Sequence, residues 1–208
     1  MYANNKAIIL IISIIIILFS TSCEPCSNES DLYKEIPASI KDFLPARTVT
    51  RFTMISTDSI QETYLLQRYE DTIYTTEPDR CGHIFKWDMA NILYTSSLSN
   101  NHNFEYRLDA VNNIVFQLGI NYKQWASWDF EEGKETRSGY DSNDYPEAYK
   151  ITFIDDYTLN GETYQKVMKA EFRTEELVED WQIEEVIIAA KEGPIWYRLK
   201  NGVDFFRK

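Results

Sequence analysis

Tyr122, Trp125, Trp128 and Tyr140 fall in one stretch of the chain, followed by Asp141, Asn143 and Asp144. Ring faces beside carboxylates and amides suit a sugar or a peptide: the rings supply apolar contact and the polar groups orient hydrogen bonds. These four aromatics are the candidate ligand-binding residues. A structural role competes with that reading, in which Trp125 and Trp128 plug the open end of a sheet. Catalytic chemistry has thinner support. A nucleophile would have to be activated by His83 or His102, and neither sits in a nucleophile motif such as Gly-x-Ser-x-Gly. Acidic pairs recur at Glu131/Glu132, Asp155/Asp156, Glu175/Glu176 and Glu184/Glu185. In so acidic a chain such pairs arise by chance, so they do not single out a glycosidase, which needs two carboxylates set across a sugar. Asp141-Ser142-Asn143-Asp144 lacks the glycine and the bidentate glutamate of a calcium loop. No Cys/His set has zinc-ligand spacing, and neither a metal nor a cofactor is expected.

The cysteines carry a different chemistry. An apolar run, Ala7 to Phe19, follows the single positive charge of Lys6. It is shorter than the roughly 20 residues a spanning helix needs and has the length of a secretory signal core. It ends in Ser20-Thr21-Ser22-Cys23, and Leu18 to Cys23 resembles a bacterial lipobox, with Ser20 where the box carries a branched aliphatic residue. A thiol is the side chain nucleophilic enough near neutral pH to take a diacylglycerol, so Cys23 is the candidate lipidation site and residues 1–22 a cleaved signal. The alternatives are an ordinary secretory signal with Cys23 incidental, or an uncleaved anchor. Residues 23–31, with Glu24, Glu29 and Asp31, form a polar tether. If Cys23 is acylated, Cys26 and Cys81 remain as an even pair in an oxidising compartment, either bridged or present as two free thiols.

Charge narrows the partners. The chain has 21 Lys and Arg against 33 Asp and Glu, a formal net charge of -12. The balance argues against nucleic acid, whose recognition needs clustered cations to displace counterions. Electrostatic adsorption to anionic lipid is disfavoured for the same reason.

The elements that would position these residues are mostly strands. Leu32, Ile36 and Ile40 are spaced four apart around Pro37, which predicts one short helix or a pair of helical turns. From Arg47 the pattern becomes β, with strands expected near 49–55, 60–76, 83–94, 104–109 and 114–120. Asn112-Asn113 is expected to turn through positive φ. Asn121 to Glu147 shows no clean period and reads as a long loop. Strands return at 149–157 and 162–172 around Asn160-Gly161, a strong hairpin signal. Three short strands close the chain. Two-residue turns cannot make parallel crossovers, so the sheet is antiparallel.

Leu159-Asn160-Gly161-Glu162-Thr163-Tyr164-Gln165-Lys166-Val167 and Ile187-Ile188-Ala189-Ala190-Lys191-Glu192-Gly193-Pro194-Ile195-Trp196-Tyr197-Arg198 resemble strand pairs of small Bacteroidetes-type lipoproteins of unknown function. Phe43-Leu44-Pro45 before a β run resembles their opening. The likeness spans about 50 residues. It implies an antiparallel sheet or half-barrel on a tether, and no activity or site residues.

The expectation is a mainly β fold, an antiparallel meander or open half-barrel with one short N-terminal helix, as a single domain over 32–208. Its function would be that of a non-catalytic lipoprotein of the bacterial cell envelope, in the outer membrane with the leaflet open, binding a small ligand, a glycan, a peptide or an envelope protein. An assembly accessory of an envelope complex is the alternative, and a small hydrolase the third reading.

Overall fold

The computed structural model describes residues 32–78, 82–98, 102–121, 124–135, 149–173, 177 and 179–208. Cys23, Cys26, Cys81, Tyr122 and Tyr140 lie outside the described residues. The chain divides into two compact units, Met1–Leu32 with Thr76–Phe85, and Tyr33–Thr75 with Lys86–Lys208. In the first, Thr76 N–H donates to Phe85 O at 2.9 Å and Phe85 N–H to Thr76 Oγ1 at 3.1 Å.

The second unit is an antiparallel sheet. Its strands are β1 (Leu32–Lys34), β2 (Arg51–Ser56), β3 (Gln61–Thr75), β4 (Phe85–Ser96), β5 (Asn103–Asp109), β6 (Val115–Ile120), β7 (Gln124–Asp129), β8 (Lys134–Glu135), β9 (Tyr149–Leu159), β10 (Glu162–Phe172), β11 (Ile183–Ala189), β12 (Gly193–Leu199) and β13 (Asp204–Arg207). The spatial order is β8-β7-β6-β5-β4-β3-β2-β13-β12-β11-β10-β9, with β1 beside β4. Two meanders, β2 to β8 and β9 to β13, are thus joined by the pairing of β13 with β2, Phe206 opposite Ile55. The twelve-strand sheet is nearly closed. Across the seam, Tyr149 Oη donates to Ser127 O at 3.2 Å, Ile151 N–H to Glu135 Oε1 at 3.1 Å, and Trp128 meets Phe153 edge-on at 5.1 Å.

Alternation along the strands explains the curl. Phe52 and Met54, Ile92 and Tyr94, Phe104, Tyr106 and Leu108, Phe116, Leu118 and Ile120, Met168 and Ala170, and Tyr197 and Leu199 are buried in one continuous cluster. A sheet that is apolar on one face over many strands buries that face by rolling on itself. A smaller cluster, Val167, Ile187, Ala189, Ile195 and Trp196, lies on the opposite face and packs against Tyr157, Leu159 and Tyr164 of the β9–β10 hairpin. That hairpin turns on Asn160 (φ 51°) and Gly161 (φ 87°), the paired positive φ values that the Asn-Gly signal predicts.

Three local expectations change. The helix α1 is only Ala38–Lys41, with Pro37 at its N-cap, while Leu32–Lys34 pairs as a strand. Proline disfavours helical geometry in the residue before it, so Ile36 cannot extend the helix backwards. The Asn112-Asn113 turn does not use positive φ. The long loop expected from Asn121 contains β7 and β8. On β7 one face carries Gln124, Ala126 and Trp128 and the other Trp125, Ser127 and Asp129, so neither shows a hydropathy period.

Residues from Tyr33 to Ala46 strap one end of the sheet. Buried Asp88 accepts from Tyr33 Oη at 2.6 Å and Ile36 N–H at 3.1 Å, and pairs with Lys41 at 2.9 Å. Asp42 pairs with Lys166 at 3.0 Å and Lys191 at 3.2 Å. Phe43 packs on Phe130 and Phe153 with ring centroids 5.9 and 5.2 Å away, on the two sides of the seam.

Candidate functional site

The most organised polar cluster centres on Glu62. Glu62 and Tyr64 point inward from β3, Ser96 ends β4, His102 precedes β5, and Tyr197 comes from β12. Glu62 Oε2 accepts from Tyr64 Oη at 3.0 Å and Tyr197 Oη at 2.9 Å. Its Oε1 accepts from Ser96 Oγ and lies 2.7 Å from His102 Nδ1. Burial alone would push the carboxyl up, but His102, Ser96 and Tyr197 together outweigh it and hold Glu62 below the usual carboxylate range. Burial and the neighbouring carboxylate push both phenols up. A carboxylate orienting an imidazole is a recurrent catalytic unit. Here, however, Ser96 donates to the carboxylate instead of facing the imidazole. The arrangement stabilises a buried negative charge. Sequence reading missed it because its members are scattered; Glu62 and Tyr197 are 135 positions apart.

The two described aromatic candidates do not share a face. Trp128 turns inward to the seam. Trp125 lies on the outer face across Gly119, where an added Cβ would fall 2.7 Å from the indole ring. Arg107 stands over that indole at 5.0 Å and pairs with Glu105 at 2.8 Å. Strand geometry sets this, because residues three apart project to opposite faces. Among the described residues no three His, Cys, Asp or Glu side chains gather as a metal cage.

A third feature lies along β3. Its partner β2 covers it to Leu65, and Leu66 N–H adds one bond to Thr50 O at 2.9 Å. A bulge follows, and from Arg68 to Thr75 the strand pairs with β4 alone among the described residues. Apart from half-buried Tyr69, every residue of that stretch is exposed. The open edge and Arg47 bound a slot of about 520 Å³, lined by Arg47, Tyr69, Glu70, Asp71, Thr72 and Tyr74. Arg47 stands over the Tyr69 ring at 5.7 Å, and Lys41 reaches Asp71 at 3.5 Å. Sequence reading placed the long strand but not its lack of a neighbour.

Comparison of the chain with known protein families, with curated proteins and with solved structures found no match.

Proposed function

We propose that this chain is a lipid-anchored, non-catalytic protein of the bacterial cell envelope, held at the outer membrane through Cys23, that recognises a protein partner on the outside of its sheet. The observation that carries the reading is the filled interior. Tyr64, Tyr94, Tyr106, Tyr197, Phe104 and Phe116 are among the largest fully buried side chains, so the inside of the sheet is packed as a core. Recognition then falls to the outer surface. Of the surface features, the Trp125 indole is already occupied by Gly119 and Arg107, whereas the β3 edge presents main chain to solvent. That edge favours a protein over a glycan. It equally supports the role of accessory subunit in an envelope complex, since both need strand-edge pairing.

The anchor is tested by incorporation of an alkyne-palmitate analogue and by membrane fractionation of the full chain beside Cys23→Ala. The expected result is label and membrane recovery for the native chain and neither for the variant. Equal behaviour of the two removes the anchor.

A further inference from the structure

We infer that the edge of β3 between Arg68 and Thr75 takes up an extended segment of a partner protein as an added β-strand. This deepens the function proposed above and rests on it.

In an antiparallel ladder, alternate residues turn their N–H and C=O to the same neighbour. Beyond the bulge at Leu66/Arg68, β3 and β4 keep one register, and in that register Thr76 N–H donates to Phe85 O. Residues 68, 70, 72 and 74 therefore face β4. Tyr69, Asp71, Ile73 and Thr75 turn four N–H and four C=O groups outward, and the structure gives them no main-chain partner among the described residues. Such a row is a template for another strand, and its spacing recognises backbone rather than a particular side chain.

The chain's own preceding segment cannot fill the place. It would have to continue β2 backwards from Arg51, but it is held elsewhere. Ala46 N–H donates to Lys191 O at 2.7 Å, Lys191 N–H to Asp42 O at 2.8 Å, and Pro45 bridges Lys191. A second copy of the chain fits poorly, because antiparallel self-pairing about the middle of this edge brings Glu70 and Asp71 of both copies together, and each chain already carries -12. The occupant we infer is a different protein, presenting a neutral or basic extended segment. Tyr69, with Arg47 over its ring, and Tyr74 line the slot, and Lys41 reaches Asp71 at 3.5 Å.

The test uses the full chain in detergent micelles and a synthetic probe, the acetylated and amidated heptapeptide Lys-Thr-Val-Thr-Val-Thr-Lys. Binding is followed by calorimetry and by amide hydrogen exchange. Ile73→Pro removes one outward N–H and leaves the β3–β4 ladder intact, and proline is tolerated on a strand edge. Ile73→Ala removes the side chain and keeps the N–H. The expected result is binding by the native chain and by Ile73→Ala, a loss of at least about tenfold in Ile73→Pro, and exchange at Tyr69, Asp71, Ile73 and Thr75 slowed by at least about tenfold when peptide is added. Absence of binding up to about 1 mM peptide overturns the inference, as does protection located elsewhere or equal loss in both variants. If Ile73→Pro fails to fold, the exchange pattern of the native chain decides alone. Loss of the palmitate label would remove the anchor without touching the exchange result, so the two failures are distinguishable.

Discussion

Replacing Glu62 with alanine should be among the most damaging single changes in the sheet. The carboxylate is 3% exposed and accepts from Tyr64, Tyr197 and Ser96, with His102 in contact. Removing it does not strand all four groups equally. Tyr64 and Tyr197 lie 3.2 Å apart and can bond to each other, and His102 is partly exposed, with water in reach. One phenol proton then loses its acceptor. A stranded buried donor costs about 1–3 kcal/mol, and removing one partner from a buried charged cluster about 3–5 kcal/mol. We expect about 4 kcal/mol, or a fall of roughly 10 °C in Tm for a domain of this size. Glu62→Gln keeps one carbonyl acceptor and should lose about half as much. The pH dependence follows from the lowered carboxyl. The folded state holds Glu62 below its unfolded value, so its contribution is present above about pH 4.5 and disappears as pH falls through the folded value. The native chain should therefore lose Tm more steeply below about pH 4.5 than Glu62→Gln does. Thermal unfolding by circular dichroism, at pH 7 and in steps down to pH 3, measures both effects. A Glu62→Ala protein within about 1 kcal/mol of the native chain at pH 7 would refute the account of the buried carboxylate.

Three further outcomes are expected. Gly119→Ala places a methyl 2.7 Å from the Trp125 ring and should cost about 1–3 kcal/mol while displacing the indole, which tryptophan fluorescence and chemical denaturation would register. Asp88→Ala removes the acceptor shared by Tyr33, Ile36 and Lys41, so limited proteolysis should cut near Lys41 faster, with about 2–4 kcal/mol lost in thermal unfolding; unchanged cleavage would argue against Asp88 as the hold on this segment. Tyr106 is fully buried and its hydroxyl has no hydrogen-bond partner among the described residues, so Tyr106→Phe should leave Tm unchanged or raise it, in contrast to Tyr197→Phe, which removes a donor from Glu62 and should lower it.

Much of the architecture was legible because the sheet is built from local signals. Strands appeared as alternating runs, and Asn160-Gly161 named its own turn. Antiparallel order followed from the shortness of the connections. Readability failed where one face of a strand mixes sizes and polarities. The outer face of β7 holds Trp125, Ser127 and Asp129 and the inner face Gln124, Ala126 and Trp128, so a strand beside the seam passed for a loop. It also failed for groups assembled by closure. Nothing near Glu62 in the sequence points to Tyr197, because only the pairing of β2 with β13 brings β12 close to β3. The Trp125–Trp128 pair shows the converse. Residues close in sequence were grouped by composition, and the two-residue period of the strand separates them.

The seam and the open edge of β3 follow from one shortage. Among the described residues, the places where the ladder lacks a neighbour include the gap between β8 and β9 and β3 beyond Leu66. One stretch, Glu35 to Thr50, connects β1 to β2. It is held at the seam end by Phe43 against Phe130 and Phe153, and by Asp42 on Lys166 and Lys191. Phe43 buries ring surface where the two sides meet through side chains rather than through ladder bonds, so the strap supplies closure that the backbone does not. Lying along β3 instead would satisfy main-chain groups that water already satisfies, a small net gain. Holding the apolar seam shut excludes water from aromatic surface, which stabilises the fold more. The chain closes its core, and the β3 edge stays open for a strand from elsewhere.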